Sequence, residues 1–113
     1  MSVFAPQPIE TLGRLYRTGF QSDFLDTALR KVVARQIERD QADLAHIEDA
    51  LTDLEQRYGL DSNEFWQRYL AGQMDDSADY VEWNVACKMR RRLLARLKIL
   101  QGKDQDDGQQ PPG

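Results

Sequence analysis

The stretch "SDFLDTALRKVVARQIERDQADLAHIEDALTDLEQRYG", residues 22–59, decides the fold class. Neither proline nor glycine interrupts the chain between Gly19 and Gly59, so nothing local stops a helix that starts near Ser22. Val33, Ile37, Leu44, Ile47, Leu51, Leu54 and Tyr58 fall at a and d positions of a heptad, with Asp40 the one polar member. The spacing predicts one long helix over residues 22–58. Its apolar stripe needs a facing helix, from the same chain or from a second copy through Ile37, Leu44, Ile47, Leu51 and Leu54.

The flanks supply three more helices. Pro8 suits a first helical position and Gly19 a left-handed stop, which predicts a helix over 8–18 with Phe20 folding back on its stripe. After Gly59, "LDSNEFWQRYLAG" has Asp61 as cap, Glu64 three residues on and Gly72 at its end, which predicts a helix over 61–71. The last helix, 77–101, starts in "DDSADYVEW" with Asp76 as cap. It carries Tyr80, Trp83, Cys87, Leu94 and Leu97 on one stripe, with Ala86, Met89, Leu93 and Leu100 beside it. No segment alternates with the period of a strand. The expected architecture is all-α: 22–58 and 77–101 as an antiparallel hairpin, 61–71 across its open end and 8–18 on its side. Residues 1–101 then form one domain, and 102–113, which contain no large apolar side chain, form a disordered tail.

Length and composition agree with a small, highly solvated folded chain: 113 residues, 41% hydrophobic and 30% charged. No apolar run approaches the roughly 20 residues of a membrane span. The start lacks a basic segment followed by an apolar one, so no secretory signal is expected. A lone cysteine, Cys87, cannot close an internal disulfide, and the expected setting is the reducing cytoplasm.

The net charge of −4 hides segregation. Residues 37–60 and 61–87 each carry a net −5, whereas 88–101 carry +6. Such a pattern serves self-association or docking to a charged partner. The run "KMRRRLLARLK", with Arg90, Arg91 and Arg92, reads first as a solvated helix face near a favourable C-terminal end. It reads second as a contact with an acidic helix, and third as a nucleic-acid contact. No helix-turn-helix or zinc pattern accompanies it, and the chain is acidic overall, which argues against the third.

Four carboxylates, Asp75, Asp76, Asp79 and Glu82, crowd one short stretch. Asp79 and Glu82 share a face and could hold a hard cation, but no histidine or second acidic pair joins them from a facing helix. Helix capping and a solvated face explain them better, and no metal or cofactor is expected. His46 has neither nucleophile nor orienting carboxylate assigned to it and reads as a surface residue; Cys87 reads as a buried thiol. No phosphate loop, nucleophile elbow or dinucleotide fingerprint is present, and an enzyme is not expected. Six of the ten aromatics fall within residues 58–83. Phe65, Trp66, Tyr69, Tyr80 and Trp83 either anchor the hairpin's open end or, rimmed by Asp76, Asp79 and Glu82, offer a docking surface for a partner.

The run "LEQRYGLDSNEFWQRYLAGQMDDSADYVEWNVACKMRRRLLARLKIL" resembles small acidic helical proteins of bacteria and archaea that are often encoded beside a toxin, commonly a ribonuclease. The matching positions are Tyr58, Gly59, Glu64, Phe65, Gly72, Asp76, Asp79, Glu82 and Trp83, within about residues 40–101. The resemblance implies an antitoxin that neutralises a partner toxin by direct complex formation. A structural or adaptor coiled-coil protein is the competing expectation. Residues 1–36 lie outside the resemblance and carry no assigned DNA-binding module.

Overall fold

A computed structural model describes residues 7–104 as four helices, and no strand occurs among the described residues. They are α1 (Pro8–Arg17), α2 (Asp23–Tyr58), α3 (Ser62–Leu70) and α4 (Ala78–Leu100). The all-α hairpin expected from the sequence is the fold, and each helix boundary lies within a residue of its expected place. Of residues 102–113, expected as a disordered tail, 102–104 are described, as a turn followed by helical residues, and 105–113 lie outside the described residues. The chain divides between Val32 and Val33 into two compact units.

In the N-terminal unit, Pro8 opens α1, and the Thr18 and Gly19 amides donate to the Leu15 and Tyr16 carbonyls at 3.1 and 3.0 Å to close it. Ser22 then caps α2, its Oγ accepting from the Leu25 amide at 3.1 Å. The Tyr16 hydroxyl donates to Asp26 Oδ1 at 2.5 Å and ties α1 to the first turn of α2. That bond holds the Tyr16 phenol above its ordinary pKa, because ionisation would set a phenolate against the carboxylate. Phe20 lies edge-on to Tyr16, as the fold-back predicts. No residue of α1 is fully buried.

In the second unit, α2 and α4 run antiparallel. Three polar links fix the direction: Arg57 meets Asp79, Glu48 meets Arg90 and Asp40 meets Arg96, so α4 numbers rise as α2 numbers fall. Gly59, at φ +62°, turns the chain out of α2 in a left-handed conformation that costs a side chain about 1–2 kcal/mol. Asp61 caps α3 by accepting from the Asn63 amide at 3.0 Å. The Glu55 carboxylate, one turn before the end of α2, accepts from the Ser62 amide at 2.8 Å and pins α3 to α2. The start of α4 differs from expectation: Ser77, not Asp76, is the cap, its Oγ accepting from the Tyr80 amide at 3.3 Å. Asp75 supports it by accepting from the Ser77 amide at 3.0 Å. Asp75 and Asp76 are engaged by the Ser77 amide and the Tyr69 hydroxyl, and Ser77 is the one of the three that caps.

The core comprises Leu51, Leu54, Phe65, Trp83 and Cys87, with Ile47, Leu60, Trp66, Tyr69, Met74, Tyr80 and Ala86 packed around it. Farther along α4 the buried residues are Leu93 and Leu97, whereas Leu94, expected on the stripe, is exposed. The cause is geometric. At Trp83 and Cys87, α4 is flanked by both α2 and α3. Beyond the reach of the nine-residue α3 only α2 remains, and the buried face rotates towards it.

Candidate protein-docking head

The turn of α3 across the end of the hairpin gathers the aromatic residues into a head. Phe65 and Trp83 sit at its centre, both 0% exposed, with rings stacked 4.0 Å apart and 3° from parallel. Their positions follow from local sequence. Phe65 is on the inner face of α3 one turn after the Asp61 cap, and Trp83 is nearly two turns after the Ser77 cap of α4. The Trp83 indole Nε1 donates to Ser62 Oγ at 2.9 Å, which satisfies a buried polar edge and locks the ring's rotamer. Tyr58, Tyr69 and Tyr80 pack round this stack with ring centroids 5.3 to 6.3 Å apart.

Around that centre, half-buried aromatics are held by polar partners at their edges. Trp66 Nε1 donates to Asn84 Oδ1 at 2.9 Å, and the Arg91 guanidinium lies 5.9 Å from the Trp66 ring centroid. The Tyr69 hydroxyl donates to Asp76 Oδ1 at 3.3 Å. Burial and the nearby Asp76 charge raise the Tyr69 pKa. The Tyr58 hydroxyl donates to Asp79 Oδ2. Arg57 bridges Asp53 at 2.5 Å and Asp79 at 2.9 Å. The hydrogen bond from Tyr58, with the Arg57 guanidinium beside it, holds the Asp79 carboxyl below the usual carboxylate range; the same bond raises Tyr58.

The sequence-selected residues therefore separate into three groups. Phe65 and Trp83 are interior. Trp66, Tyr69, Asp76, Asp79 and Tyr80 lie around the outside of the head. Glu82 is apart from them, on the opposite side of α4, where it lines a groove with Ile47 and Ala86.

The other selected residues are also distributed. Leu51 and Leu54 are consumed by the internal core, while Ile37, Leu44 and Ile47 are half-buried. Arg90 pairs with Glu48 at 3.4 Å and Arg91 covers Trp66, so two of the three successive arginines have partners within the chain. Arg92 is exposed and, with Arg96, lines a groove across from Asp43 and His46 of α2. Burial pushes the Cys87 thiol up to about 11 and keeps it protonated at neutral pH. Among the described residues, no three His, Cys, Asp or Glu side chains are grouped to hold a metal ion. No helix among them is long and apolar enough to cross a membrane.

The chain matches no family model, no curated protein and no solved structure.

Sequence reasoning missed the most specific polar contact in the fold. Asp40 is 1% exposed and receives two hydrogen bonds from Arg96 and one from Gln36 Nε2 at 2.9 Å. The available signal was Asp40 itself, a carboxylate at a core heptad position, which requires a cation from the facing helix.

Proposed function

We propose that the chain is a non-enzymatic protein-binding protein whose acidic aromatic head captures a basic partner. The observation that carries this reading is the Phe65–Trp83 stack. It makes the head a preformed element, so Trp66 and Tyr69 lose little freedom on docking. Both are aromatic side chains with apolar faces and tethered polar edges, the chemistry of interface anchors. Asp76 lies beside Tyr69 and Asp79 beside Tyr58, and residues 61–87 carry a net −5. A field of that sign speeds encounter with a basic surface and selects against acidic ones.

The family resemblance supplies the partner class: a toxin, with a basic RNA-binding ribonuclease groove as the surface to be covered. In this reading the chain is an antitoxin that acts in the cytoplasm by direct complex formation. The test is co-expression of the full chain with the product of the neighbouring gene. A stable complex and relief of growth arrest are expected, and Trp66→Ala with Tyr69→Ala should abolish both while helicity is retained. Absence of complex and of rescue with the unaltered chain overturns the reading. A complex that survives the double substitution moves the docking surface away from the head. A chain that associates with cellular partners yet relieves no toxicity supports the adaptor alternative.

A further inference from the structure

A second surface lies on the opposite side of α4 from α3. Val81, Val85 and Met89 recur at every fourth residue and are 41%, 47% and 47% exposed. With His46, Ile47 and Ala50 of α2 they line an open hollow of about 370 Å³ between the two helices. It adjoins a second hollow of about 480 Å³ that shares His46, Ile47 and Met89 and ends at Arg92 and Arg96. α3 lines neither hollow. Three large apolar side chains in register on one helix, facing away from their own core, form a stripe suited to another helix.

We infer that this groove is the interface of an antiparallel homodimer in which two hairpins close into a four-helix bundle about a two-fold axis near Val85. Charge selects the occupant. Asp79, Arg90, Arg91 and Arg96 already have partners within the chain. Of the other charged residues of α4, Glu82, which lines the hollow, precedes Lys88 and Arg92. A second copy laid antiparallel sets each acidic end against a basic end, whereas a parallel copy sets like charge on like. The apolar stripe obeys the same symmetry. Centred on Val85, it sets Val81 of each copy against Met89 of the other and Val85 against its own equivalent, the self-complementary pattern of a two-fold contact. The interface uses Ile47 but not Leu51 or Leu54, which the internal core already occupies. It leaves Trp66 and Tyr69 clear on the far side of α4, and it does not rest on the head's being a docking surface.

The experiment measures the mass of the full chain by light scattering or sedimentation over an about hundredfold concentration range, because association must follow mass action. A dimer is expected. Val85→Arg should weaken it by at least about tenfold, with circular dichroism retained because the side chain starts half-exposed. Cysteine cross-linking reads the direction and remains informative if Val85→Arg unfolds. Val85→Cys should form a disulfide-linked dimer, and Val81→Cys mixed with Met89→Cys should form the mixed dimer. Val81→Cys alone should not, since two antiparallel copies separate those positions by about 12 Å along the axis, beyond disulfide reach. A monomer at every concentration overturns the inference. So does a dimer indifferent to Val85→Arg, or efficient cross-linking by Val81→Cys alone. A monomer whose capture of a partner is lost in Val85→Arg assigns the groove to that partner instead and also overturns it.

Discussion

Arg96 grips Asp40 at two points across the hairpin, Nε to Oδ2 at 2.7 Å and Nη2 to Oδ1 at 2.8 Å. The two residues differ sharply in environment: the Asp40 side chain is 1% exposed, while that of Arg96 is 53% exposed. The carboxylate is sealed between the helices, and the guanidinium carries its charge balance out to water. A planar fork matched to a carboxylate also sets the register of α2 against α4, because sliding either helix by one turn breaks both bonds.

That asymmetry predicts unequal consequences for the two partners. Arg96→Ala strands a buried carboxylate with Gln36 as its remaining donor. Asp40→Ala releases a guanidinium that water can solvate. Thermal unfolding followed by circular dichroism should give the larger drop in Tm for Arg96→Ala, and Arg96→Lys should fall between it and the native chain. Equal drops for the two alanine variants would show that the buried carboxylate is not the costly member.

Acid stability follows from the same pair and from Asp79. The Arg96 hydrogen bonds hold Asp40 below the ordinary value of 3.8, and the Tyr58 hydrogen bond does the same for Asp79. Each carboxyl therefore binds a proton less readily when folded than when unfolded. The stability they contribute is fully present above 3.8 and is lost as pH falls through the depressed folded values. Urea unfolding across this range should give a flat region followed by a decline. The decline should be shallower in the double variant Asp40→Asn, Asp79→Asn, and an unchanged slope would assign acid sensitivity to other groups.

Cys87 should be inert in the folded chain. Its thiol is pushed from 9.0 to about 11 by burial, so at mildly alkaline pH it should react with a thiol reagent only after denaturant is added. The sign for stability is opposite to that of the carboxyls. Between 9.0 and about 11 the unfolded chain loses this proton before the folded one, so the Cys87 contribution to stability declines as pH rises through that window. Rapid labelling of the native chain would contradict the burial.

The ring stack predicts a graded series. Trp83→Ala removes a fully buried indole and should cost about 3–5 kcal/mol in chemical denaturation. Trp83→Phe keeps much of the stacking but leaves Ser62 Oγ without its donor, at about 1–3 kcal/mol. Trp66→Ala, on the half-buried outer face, should be milder than Trp83→Ala. If Trp66→Ala unfolds the chain as readily as Trp83→Ala, the division between interior stack and outer face is wrong.

Local residue chemistry determined where the helices begin and end. The proline- and glycine-free run before Gly59 excludes any stop, and Gly19, Gly59, Gly72 and Gly102 all adopt the positive φ that terminates a helix. Asp61 and the period of Leu51 and Leu54 were legible for the same reason: capping and periodicity depend on neighbours a few positions away. The tertiary structure alone decided what each helix face meets. Adjacent Phe65 and Trp66, alike in sequence, divide into interior and outer ring because α3 lies across the hairpin in one orientation. Leu93 is buried and Leu94 exposed because α3 ends before reaching them. Asp40 is sealed because Arg96, 56 residues later, reaches it across the hairpin. Backbone preferences are summed over a turn or two of chain, whereas burial depends on helices that meet only once the chain has folded.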